Sequence, residues 1–77
     1  MSAAFEIRND MSDVLEVWIE PWCHPYYVPR GSTLGLSYKA EGTLLTEHTA
    51  ERLVVWLNSK YEPDAVLGGR RVLPDFR

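Results

Sequence analysis

The chain is short of most features that announce a function. It has one cysteine, Cys23, so no disulfide can form within its 77 residues. Its longest uninterrupted apolar run is residues 53–57, against the roughly 20 residues a membrane-crossing helix needs. Basic residues are outnumbered: Lys and Arg total 8, Asp and Glu total 11, and the net charge is −3. Nucleic-acid binders draw most of their affinity from neutralising phosphates with a basic face, and here the basic residues are scattered. Neither nucleic acid nor membrane is expected as a partner. Residues 1–8 offer no basic segment followed by an apolar one, so no secretory leader is read there, and with a lone thiol this makes a cytoplasmic setting the expectation. The sequence also lacks a Gly-x-Gly-x-x-Gly, a phosphate loop, a Cys-x-x-Cys and a His-Glu-x-x-His. No cofactor is expected.

What the chain does have is two-residue alternation. Phe5 and Ile7 alternate with Glu6 and Arg8. Leu15, Val17 and Ile19 alternate with Glu16, Trp18 and Glu20, and Pro21 ends that run by removing a ladder donor. Residues 25–28 read as a short proline-bounded edge strand, followed by a turn at Pro29 and Gly31. Leu34, Leu36 and Tyr38 then alternate with smaller residues. Glu41-Gly42 reads as a turn, and residues 43–48 alternate weakly. Residues 52–57 are apolar on both faces, which suggests a central strand. Residues 65–73 form a closing hairpin around Gly68-Gly69. Residues 49–61 also carry helical spacing behind a possible Thr49 cap, but Val54, Val55 and Trp56 are strand formers, and strand is the preferred reading. One all-β domain over residues 1–77 follows, a small β-sandwich or partly closed barrel of six to seven short strands.

Residues 19–31 include Glu20-Pro21-Trp22, Tyr26, Pro29 and Gly31. This motif resembles that of a group of short uncharacterised bacterial proteins, in which a glycine usually stands where this chain has Cys23. The resemblance implies a bacterial source and a compact β fold, and it implies no activity.

Three sets of residues are candidates for chemistry. Cys23-His24, with His48 elsewhere, could in principle ligate a metal or supply a nucleophile. Neighbours on an extended chain point to opposite faces, so the preferred reading is a turn cysteine and a surface histidine. Glu20, with Glu16 on the same strand face, could do acid–base work if their surroundings separated their pKa values. The preferred reading is a carboxylate that accepts from the following turn or faces solvent. The aromatics are the third set. Trp18 and Trp56 fall opposite the apolar faces of their strands, either as a second buried layer, which is favoured, or as an exposed patch marking a ligand or partner surface. With Glu20, Trp22 and Tyr26 they form the candidate binding set. The best functional reading is a non-enzymatic binding or interaction module. The alternatives are a small metal or ligand carrier using Cys23, His24 or His48, and a hydrolytic enzyme centred on Glu20. A thin core, stable by only about 3–5 kcal/mol for so short a chain, and apolar area on two faces point to self-association as a homodimer. Residues 33–39 appear as the unguarded edge for it.

Overall fold

The computed structural model of the chain describes residues 2–39 and 44–76. Among them it has eight strands and no helix: β1 Ser2–Arg8, β2 Leu15–Glu20, β3 His24–Val28, β4 Thr33–Lys39, β5 Leu45–His48, β6 Arg52–Trp56, β7 Asp64–Leu67 and β8 Arg70–Val72. The all-β reading holds, with one strand more than the upper expectation. Residues 52–56 are strand, not helix. Thr49, the residue that looked like a helix cap, closes a hairpin instead: its Oγ1 accepts from the backbone N–H groups of Glu51 and Arg52 at 3.2 and 3.0 Å. A hydroxyl that can cap a helix can equally satisfy a turn. The expected turn at Glu41-Gly42 lies outside the described residues.

The strands form two open four-stranded sheets. Sheet A has the order β1-β4-β7-β8 and sheet B the order β3-β2-β6-β5. All pairings are antiparallel except β2 with β6, which run parallel because the chain leaves sheet B after β3 and re-enters through β5. At the β7–β8 turn Gly68 and Gly69 take φ of 59° and 82°. Two consecutive positive φ values are what a twist-matched two-residue hairpin requires.

One core lies between the sheets. From sheet B it takes Val17, Ile19, Tyr26, Val28, Leu53 and Val55, and from sheet A Leu34, Leu36 and Ala65, with Leu57 just beyond β6. The register explains the layer: Val17 lies between Tyr26 and Leu53, and Leu36 between Phe5 and Ala65. Every second residue of the inner strands β2, β4 and β6 therefore faces the other sheet.

A buried asparagine ties the layers together at one end. Asn9 is 1 % exposed. Its Nδ2 donates to the carbonyls of Asp13 (2.7 Å) and Val28 (2.8 Å), and its Oδ1 accepts from the Met11 N–H (2.9 Å). Its backbone exchanges bonds with Ser32 and Gly31.

The edges are not where the sequence places them. Thr33–Lys39, expected as an unguarded edge, is the inner strand β4, paired on both sides by β1 and β7. The free margins are β1, β8, β3 and β5. Strand β3 carries Pro25, and the Asp75 N–H donates to the Pro25 carbonyl at 2.9 Å, so the tail lies along that margin. Strand β5 has all four residues exposed and no proline.

Candidate interaction surface

The outer face of sheet B is built from the residues that alternate with the core. Strand β2 contributes Glu16, Trp18 and Glu20, and β6 contributes Arg52, Val54 and Trp56. The parallel register sets Glu16 beside Arg52, Trp18 beside Val54 and Glu20 beside Trp56. Strand β5 adds Glu47 beside Val54. Together Trp18, Glu20, Cys23, Glu47, Arg52, Val54 and Trp56 line a groove of about 360 Å³. Trp56 is 41 % exposed and Trp18 half-buried. The favoured expectation of a second buried aromatic layer is therefore corrected. A two-layer sandwich has one interior; here Leu15, Val17 and Ile19 occupy it from β2, which leaves the tryptophans on the face turned away from sheet A.

Polar contacts anchor both rings. The Trp18 indole Nε1 donates to Glu16 Oε2 at 2.6 Å, and Arg52 Nε reaches the same oxygen at 3.0 Å. The Arg52 guanidinium carbon lies 5.1 Å from the Trp18 ring centroid. Glu16 thus holds a tryptophan and an arginine in one stacked unit. The Trp56 indole Nε1 donates to Glu47 Oε1 at 2.6 Å.

Glu20 faces the groove and accepts from the Cys23 thiol at 3.8 Å. That hydrogen bond, the carboxylate's charge and some desolvation, in that order, push the Cys23 thiol above its ordinary 9.0. A raised thiol pKa leaves less of the nucleophilic thiolate at a given pH. Cys23 also has φ of 56°, a left-handed conformation that favours glycine.

The other expected residues lie elsewhere. Tyr26 is 4 % exposed and belongs to the core. Burial, with Glu62 and Asp64 nearby, pushes its phenol upward. Trp22 is half-buried and packs against the same core. Neither lines the groove: Tyr26 pairs with Val17 and shares its inward-facing parity, and Trp22 in the β2–β3 turn packs on the same core. His24 is not a surface histidine: its side chain is only 15 % exposed and meets Phe76 edge-to-face at 5.7 Å. His48 is exposed on β5, opposite Leu53. Cys23, His24 and His48 do not converge, and among the described residues no three His, Cys, Asp or Glu form a group that could hold a metal. Arg52 and Glu47 escaped the sequence reading. Arg52 reaches Glu16 only through the parallel β2–β6 pairing, 36 positions along the chain, and no local pattern signals that.

Sheet A carries a wider depression of about 730 Å³, lined by small residues that include Ala4, Gly35, Ser37 and Gly68. Of its larger apolar lining residues, Phe5 and Leu36 turn into the core and only Val66 is exposed. The trough thus offers backbone and short side chains where binding surfaces usually present aromatic or arginine anchors. The smaller groove on sheet B is the better candidate. No protein-family model, curated protein or solved structure gave a match to this chain.

Proposed function

We propose that this chain is a small non-enzymatic interaction module, bacterial and cytoplasmic, that binds a partner through the outer face of sheet B. The observation that carries the reading is the pair Trp18 and Trp56 flanking Val54 on a solvent-facing sheet, in a groove fixed by carboxylates. Tryptophans with ordered N–H groups, here with the Trp56 ring exposed, are among the side chains that most often anchor an interface. An enzymatic reading centred on Glu20 draws less support. Its strand-mate Glu16 is committed to Arg52 and Trp18, and Glu20 itself pushes the neighbouring thiol's pKa upward. The carrier reading draws none from Cys23, His24 and His48, which point to different places. The bacterial setting rests on the motif in residues 19–31, and the cytoplasmic one on the unpaired cysteine.

A second reading concerns self-association. Strand β5 is an exposed, proline-free edge beside Trp56, and Leu45 on it is 57 % exposed. Pairing of two β5 strands about a two-fold axis would join the B sheets and leave both grooves open.

The three tryptophans are built-in reporters of the main reading. In ¹⁵N-labelled protein their indole N–H resonances are followed during titration with N-acetyl-tyrosine amide and short acetylated peptides. The Trp18 and Trp56 signals shift together and the half-buried Trp22 signal stays put. Shifts confined to the amides of Gly35 and Val66 would move the binding surface to sheet A, and no shift anywhere would end the proposal.

A further inference from the structure

The two halves of the groove are built alike, and only one of them is complete. On the first half, the Trp18 N–H and the Arg52 guanidinium share Glu16 Oε2, and the guanidinium lies over the indole. On the second half, the Trp56 N–H holds Glu47 Oε1 at 2.6 Å, and Glu20 sits beside Trp56 across the β2–β6 register. Among the described residues no cation lies over the Trp56 ring, and neither Glu47 nor Glu20 has a cationic partner. The Glu16 charge is cancelled by Arg52, so the groove is left with the charges of Glu20 and Glu47. An exposed indole between two uncompensated carboxylates attracts a flat cation, which can stack on the ring while its N–H groups meet the carboxylate oxygens.

We infer that the Trp56 half of the groove receives an arginine side chain from a partner protein, in the way that Arg52 occupies the Trp18 half within the chain. This deepens the interaction-surface reading and rests on it. The guanidinium is favoured over a lysine ammonium because the site pairs a ring face with carboxylates on two sides, and a planar fork can satisfy both at once.

The test uses the full chain and three peptides: acetyl-Gly-Arg-Gly-amide, its citrulline counterpart, which keeps the shape and loses the charge, and its lysine counterpart. The Trp56 indole N–H resonance is followed at low salt. The arginine peptide is expected to bind on the order of tenfold more tightly than the citrulline peptide, and added salt weakens it. Glu47→Gln keeps an acceptor for the Trp56 N–H and removes the charge, so it removes most of that preference without unfolding the site. Glu51→Gln, an exposed carboxylate outside the groove, leaves it intact. Equal binding of the arginine and citrulline peptides would overturn the cation inference and leave the groove as a binding surface. Tighter binding of the lysine peptide would overturn the arginine assignment. Free guanidinium that shifts Trp56 as strongly as the arginine peptide would make a small cation, not a protein segment, the occupant. Silence of Trp18 and Trp56 toward every peptide would remove both the inference and the surface it rests on.

Discussion

At the residue scale the most informative position is Cys23. Its φ of 56° is a conformation in which a Cβ crowds the following carbonyl and glycine is at ease. Cys23→Gly is therefore expected to raise the denaturation midpoint modestly, whereas a β-branched Cys23→Val lowers it. A midpoint that falls in the glycine variant would mean that the thiol's contact with Glu20 outweighs the backbone preference. The thiol gives a second readout. Its folded pKa is raised, so its contribution to stability is present below the ordinary thiol value and is lost as pH rises through the folded one. Glu20→Gln removes the largest cause, and Cys23 should then react faster with iodoacetamide near pH 8.5, a window where an unperturbed thiol is substantially ionised. An unchanged alkylation rate would show that the carboxylate does not control the thiol. The shared face of Glu20 and Trp18 was legible from the sequence, because the two have the same parity along one strand. Tyr26 was not placed by that rule, because Pro21 and the turn that follows separate it from β2.

At the scale of elements the decisive feature is strand β5. The sequence shows only weak alternation there, and strand order cannot be read from it. The topology puts β5 at the rim of sheet B with every residue exposed. If two chains pair along this rim, light scattering at micromolar concentration gives twice the chain mass. Leu45→Lys then returns the monomer, because a charge on the apolar rim disfavours edge pairing, while stability changes within about 0.5 kcal/mol as for other exposed substitutions. A monomer mass for the unaltered chain would exclude the dimer. Other elements were legible because their signals are local. Gly68-Gly69 marks a hairpin, Pro25 marks an edge, and Val54, Val55 and Trp56 favour a strand over the competing helical spacing.

At the scale of the whole molecule, the sheets are joined by the core between them and by Asn9. The sequence marks Asn9 only as the end of an alternating run. In the structure it is the buried polar side chain that satisfies carbonyls from the β1–β2 loop and from the end of β3. Asn9→Ala leaves those carbonyls and the Met11 N–H without their partners, and the cost expected is about 2–3 kcal/mol. Against a net stability of about 3–5 kcal/mol for a domain of this size, that is enough to unfold much of the population on mild warming. Asn9→Asp should be no better, since it sets a carboxylate against two carbonyl oxygens. Circular dichroism melts of both variants check this, and a loss under about 0.5 kcal/mol would show that Asn9 does not hold the layers together.

The sequence by itself determined the fold class, most strand positions, the turn chemistry and the residues of each strand that share a face. These depend on the two-residue period and on glycine and proline, which act over a few neighbouring positions. Only the tertiary structure decided which face became the interior, which strands became edges, and that Glu16, Trp18 and Arg52 form one unit. Those outcomes depend on pairings between segments far apart in the chain. Alternation says that Trp18 and Val17 point in opposite directions, but whether the tryptophan meets water or a second layer depends on which face the other sheet covers. Sheet A covers Val17, and the tryptophans are left to form the groove.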